Sequence, residues 1–136
     1  MHIDEDKLPN DLDEAVDMLM LAMDEDDRAN IARHLAATDD KLLGSHFGVG
    51  MYLRNNWNLW EDSPISRWFI KELKICHADD MSGIILDAFC HKFQGRSYDP
   101  HALAVRYHQH WDAYYGKNSA DKMINEWKTS HKVSDL

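Results

Sequence analysis

The sequence has little of what staples a small secreted protein or marks a membrane protein. It holds 2 cysteines, 3 prolines and 6 glycines in 136 residues, and no long apolar run. Cys76 and Cys90 match no zinc or redox spacing and sit in apolar settings, Ile75-Cys76 and Phe89-Cys90. They are read as free thiols that fill space as small hydrophobes. The longest near-apolar segment, residues 15–23, is interrupted by Asp17. It falls well short of the ~20 apolar residues a membrane span needs. The chain opens on Asp4-Glu5-Asp6, where a signal or transit peptide would be basic. A cytoplasmic protein with no membrane partner is expected.

Basic charge is also scarce at one end. Residues 1–40 carry 13 acidic side chains against Lys7, Arg28 and Arg33, a balance of −10, while residues 41–136 carry 11 acidic and 12 basic, a balance of +1. The N-terminal third therefore holds the whole net charge of −9. Such a surface repels phosphate backbones, which excludes nucleic acid as the expected partner and favours a protein with a basic surface. A solvated face that only keeps the chain dispersed is the bland alternative.

What is present is helical punctuation. Leu12, Ala15/Val16, Leu19 and Ala22/Met23 recur at helical spacing behind Asp11, Asp13 and Glu14, which suit a helix N-terminus. Asp24 to Asp27 open a second helix with Ile31 and Leu35 inward. Thr38-Asp39-Asp40 opens a third, in which Phe47, Gly50, Met51 and Arg54 share an inward side and Gly44 and Gly48 mark close helix packing. Ser63-Pro64 and Asp99-Pro100 are cap-plus-proline starts. His77 to Asp80 begin a helix with Met81, Ile84/Ile85, Ala88/Phe89 and Phe93 buried, Asp79 or Asp80 serving as its cap, and Gly95 stopping it. Leu103, Tyr107, Trp111 and Tyr114 form a stripe ending at Gly116, and Ser119 caps a last helix through Met123, Ile124 and Trp127. No strand-like alternation persists. The expected fold is all-α: one domain over 1–136, an irregular bundle of six or seven short helices, with acidic helices at 10–37, a motif-bearing core at 38–116 and a C-terminal helix at 119–130.

The chemistry-bearing candidates are few. Arg54 near a core needs a carboxylate, for which Asp79 and Asp80 are the obvious partners. With Asn55, Trp57, Trp60 and His77 they make a candidate pocket or a buried ion pair. The 9 histidines invite a metal, with His101, His108 and Asp112 on one helix, or His77 with Asp79 and Asp80, as the possible sets. No zinc, carboxylate-bridged or cofactor motif accompanies them, so neither a metal nor a cofactor is expected. Cys76 beside His77 is not a nucleophile–base dyad, since adjacent side chains diverge, and no Gly-x-Ser-x-Gly occurs. No catalytic residue stands out. Trp57, Trp60 and Trp68 fall close together, as core anchors or interface anchors.

The run His46-Phe47-Gly48-x-Gly50-Met51-x-x-Arg54-Asn55-Asn56-Trp57-x-Leu59-Trp60, followed by His77-x-Asp79-Asp80-Met81-Ser82-x-Ile84-Ile85-Leu86, resembles a family of small bacterial proteins known only as a domain of unknown function. Gly95-Arg96-x-x-Asp99 is similar to a segment that follows in that family. The resemblance covers roughly residues 8–115 and departs at Cys90-His91 and in the longer acidic second helix. It implies a grouping and no activity.

The residues thus point to an acidic protein-binding module, of immunity or inhibitor type, that neutralises a basic partner through Asp13, Asp17, Asp24, Glu25, Asp26 and Asp27. The alternative is a small-molecule binder or enzyme with its pocket around Arg54, His77, Asp79 and Asp80, an enzyme being the weaker expectation.

Overall fold

Five of the seven α-helices among the described residues start where a side chain accepts from an orphan backbone amide. The structure, a computed structural model, describes residues 1–38 and 49–136. Helix α1 (Leu12–Ala22) begins at Asp11, whose carboxylate accepts from the Glu14 amide at 2.8 Å. Helix α2 (Glu25–Thr38) begins with a reciprocal pair: the Asp27 amide donates to Asp24 and the Asp24 amide to Asp27, at 2.8 and 3.2 Å. Helix α3 runs from Val49 to Asn56. The expected third-helix start at Asp39-Asp40, the packing of Gly44 and Gly48, and the inward side of Phe47 lie outside the described residues. Met51 does not look inward as expected; it is 63% exposed.

Helix α4 (Pro64–Trp68) has proline in its first turn and a capping box between Ser63 and Ser66. It does not continue as a regular helix to Leu73. Phe69–Leu73 widens into a π-helical turn that ends on Lys74 in the left-handed region, φ 55°. Helix α5 (Ala78–Phe93) is capped by His77, whose Nδ1 accepts from the Asp79 amide at 3.2 Å. The cap is therefore His77, and the carboxylates of Asp79 and Asp80 are left for other partners. Gly95, at φ 75°, closes α5 with the paired bonds Arg96 N to His91 O and Gly95 N to Lys92 O.

Helix α6 (Pro100–Tyr115) is capped by Asp99, and helix α7 (Ser119–His131) follows a left-handed Asn118. Ser119 is not the cap. It is the first helical residue, and its hydroxyl and amide both donate to Asp112, at 2.6 and 3.2 Å.

Helix α5 is the axis of the fold, with α1, α3 and α6 packed on it and α7 packed on α6. Every residue from Met81 to Cys90 is buried, so α5 is enclosed on all sides and not only along the expected stripe. Its neighbours supply Leu12, Leu19, Leu53, Trp57, Ile65 and Phe69 to one contiguous core. All helices here are α or π, with no strand among the described residues, so the fold is all-α, with seven α-helices among those residues. No helix of the described residues is long and apolar enough to cross a membrane.

Candidate functional site

The two C-terminal helices do not close fully over the end of α5. The loop after α3, the start of α5 and the hairpin α6–α7 leave a cleft of about 410 Å³ between them. Its walls are aromatic: Trp60, His77, Trp111, Tyr115, Trp127 and His131. Trp60 meets His77 edge-on with centroids 5.5 Å apart, His77 lies 5.6 Å from Trp111, and Trp111 stacks on Tyr115 at 5.6 Å. On the opposite side Trp127 stacks on His131 at 4.1 Å. Trp60 and Tyr115 remain about half exposed, at 47% and 52%.

Local structure explains each position. Trp57 and Leu59 turn into the core while Asn58 adopts a left-handed backbone, φ 55°, which leaves Trp60 on the surface side of the loop. Trp111 is held by its own indole N–H, which donates to Asp80 at 2.7 Å. His131 has both ring nitrogens against carbonyl oxygens, Nδ1 at 2.8 Å from Trp127 and Nε2 at 2.9 Å from Trp60. Carbonyls only accept, so whichever ring nitrogen carries a proton donates to one of them. His77 is used differently: its Nδ1 accepts from the Asp79 backbone amide as the helix cap.

The floor of the cleft includes Cys76. Burial, helped by the nearby Asp80 and Glu126 carboxylates, pushes its thiol up to about 11. A thiol held protonated is a poor nucleophile, so Cys76 is space-filling chemistry at neutral pH. Burial also raises the Asp80 carboxyl above its ordinary range, against the pull of the Trp111 N–H. On the rim, the Lys122 ammonium stands 5.9 Å over the Tyr115 ring.

The residues singled out in the sequence distribute differently. Only Trp60 and His77 line the cleft. Arg54 pairs with Asp79, Nε to Oδ1 at 3.2 Å, and its Nη1 donates to Ser82 at 3.1 Å. The pair is only partly buried, with the Arg54 side chain 22% exposed and Asp79 58% exposed. Asn55 is exposed on α3, and Trp57 is a core residue at 1% exposure. His108 Nε2 meets the Leu73 carbonyl at 2.8 Å while Asp112 faces Ser119, so these two do not chelate together. Among the described residues no three His, Cys, Asp or Glu side chains converge as a metal-binding group.

On the acidic face, Asp13 accepts from the Tyr98 hydroxyl and Asp17 pairs with Lys92. Asp27 pairs with the N-terminal ammonium at 2.6 Å. Asp24, Glu25 and Asp26 are exposed. Tyr115, Lys122, Glu126 and His131 line the cleft without having been singled out in the sequence, and Trp111 and Trp127, expected along their helices, border it as well. The signal available was an excess of aromatics on α6: Trp111, Tyr114 and Tyr115 within five residues.

No curated protein and no solved structure gives a significant match to the chain. A family model matches residues 8–93, from the approach to α1 to the last residue of α5, so that Trp60, Cys76 and His77 lie inside the matched region and the α6–α7 half of the cleft outside it. The chain belongs to the family described as Domain of unknown function (DUF6794).

Proposed function

We propose that this protein is an acidic binding module of the bacterial cytoplasm, of immunity or inhibitor type, which captures a basic protein partner without transforming it. The observation that carries this reading is the open aromatic cleft. Half-exposed Trp and Tyr side chains around a concavity supply the anchor chemistry typical of protein interfaces. Its one thiol is held protonated, which favours holding over covalent chemistry. The acidic face of α1 and α2 supplies the long-range attraction, which speeds encounter with a partner of opposite sign. Asp24, Glu25 and Asp26 remain exposed for that purpose, while Asp13, Asp17 and Asp27 are partly occupied by neighbours.

The test is affinity purification from the native host at low and high salt, followed by association kinetics with the recovered protein. A strongly basic protein is expected, with an on-rate that falls as salt rises. Replacing Asp24, Glu25, Asp26 and Asp27 by Asn and Gln lowers the on-rate far more than it raises the off-rate. A partner indifferent to both salt and these substitutions overturns the steering role of this face.

One observation favours a second reading. A cleft of about 410 Å³ falls within the size of small-molecule sites. Of the pocket expected from Arg54, His77, Asp79 and Asp80, His77 alone lines it. A thermal-shift screen against metabolites distinguishes this reading, because a specific ligand raises the melting temperature in proportion to its affinity.

A further inference from the structure

The cleft already sets one cation, Lys122, against an aromatic ring. Lys122 stands over the Tyr115 ring, and the His131 ring lies flat on Trp127. Aromatic faces attract positive charge because their quadrupole is negative above the ring. The Trp111 face is enriched further, since its indole N–H donates to the Asp80 carboxylate. One carboxylate lines the cleft itself, Glu126, which is exposed at its rim. His77 Nδ1 is turned to the Asp79 backbone amide at 3.2 Å, which leaves its ring face toward Trp60 and Trp111. Both His131 ring nitrogens are occupied by the Trp127 and Trp60 carbonyls, so neither is free to meet a ligand.

We propose that the cleft between the Trp60 loop and the α6–α7 hairpin receives an arginine side chain of the basic partner, its guanidinium against the Trp60 and Trp111 rings and its charge answered by Glu126. A planar guanidinium fits this set better than an ammonium, because it stacks on aromatic faces and is less strongly hydrated. Lys122 is then the internal competitor: its ammonium opposes an incoming cation and would assist an anion. This inference rests on the binding-module reading and names what that module grips.

The probe is a capped peptide, Ala-Arg-Ala-Arg-Ala, compared with its citrulline counterpart, which keeps the shape and loses the charge. Binding is followed by the five tryptophan indole N–H resonances. Those of Trp60 and Trp111 are expected to shift saturably, while that of Trp57, sealed in the core, stays still. The citrulline peptide is expected to bind at least about tenfold more weakly, as loss of a charged, partly desolvated partner requires. Glu126→Gln should weaken the arginine peptide about fivefold, and Lys122→Gln should tighten it about threefold, both at rim positions where exposed charges add little to folding.

Equal binding of the two peptides, weakening by Lys122→Gln, or no saturable shift at Trp60 and Trp111 overturns the assignment. Should the basic partner still associate in a salt-dependent manner when the peptide does not enter the cleft, the cleft assignment falls and the binding-module reading stands. Should neither associate, both fall.

Discussion

The indole nitrogen of Trp111 donates to the Asp80 carboxylate across 2.7 Å, joining the last turns of α6 to the first turn of α5 beside the aromatic cleft. The same contact holds one wall of the cleft and fixes how the C-terminal hairpin sits on the family-matched part of the chain. It gives the first expectation for mutagenesis. Burial raises the Asp80 carboxyl, so the folded state binds its proton more tightly than the unfolded chain does. Ionisation of Asp80 therefore weakens the fold. The penalty is absent below the ordinary carboxylate range and grows as pH rises through the raised folded value. Asp80→Asn keeps an acceptor for Trp111 and removes that penalty. Its stability relative to the wild type should improve from pH 4 to pH 7 and stay within about 1 kcal/mol at neutral pH. Trp111→Phe, which strands the carboxylate, should cost about 1–3 kcal/mol in urea denaturation.

Gly83 and Tyr107 define a second contact. A Cβ on Gly83 would stand 2.2 Å from the Tyr107 hydroxyl oxygen, and that hydroxyl is pinned by an Arg106 hydrogen bond at 2.7 Å. Gly83→Ala should therefore destabilise the protein by about 1–3 kcal/mol through overpacking, despite alanine's better helix propensity. In a double-mutant cycle with Tyr107→Phe the costs should be less than additive. Additive costs would mean that α6 does not approach α5 this closely.

Arg54→Ala should be milder than a buried ion pair would demand. A buried charge stranded by loss of its partner costs about 3–5 kcal/mol. Asp79, however, is 58% exposed and is resolvated when Arg54 is removed. The loss should be about 1 kcal/mol, dominated by packing of the guanidinium stem and the Ser82 hydrogen bond. A loss above 3 kcal/mol by chemical denaturation would contradict the exposure of this pair.

Cys76 should be slow to alkylate. Its thiol titrates near 11, raised first by burial and then by Asp80. At pH 8 its thiolate fraction is about two orders of magnitude below that of a free cysteine, and its reaction with a disulfide reagent should be slower to match. Cys90, 4% exposed, should stay unreactive until the protein unfolds. A rapidly modified Cys76 at pH 8 would contradict the raised titration of its thiol.

The local signals written in the chain determined most element starts and the helical class. Asp11, Ser63-Pro64 and Asp99-Pro100 act on amides two or three residues away, and Gly95 needs only its own backbone to turn left-handed, so no tertiary contact is required to read them. The pairing of Arg54 with Asp79 or Asp80 was also legible, because a cation on a half-apolar helix needs a carboxylate and these two stand at the mouth of the neighbouring helix; the structure selects Asp79. Other features depend on what lies across space. The π-helical turn at Phe69–Leu73 carries no breaker of its own, and His77 caps α5 although aspartates follow it immediately. Nor could periodicity tell a helix enclosed on every side, as α5 is, from one buried along a stripe, since small Ser82 and Gly83 read as polar or neutral until Arg54 of α3 reaches the one and Tyr107 of α6 the other. The cleft was decided by tertiary structure alone. Its walls come from residues 60 to 131, and whether Trp60, Trp111 and Trp127 fill a core or border a concavity depends on how far the α6–α7 hairpin stands from the start of α5. That distance is set by long-range contacts such as Trp111 to Asp80 and His131 to Trp60, which join residues far apart in the chain and leave no periodic trace along it.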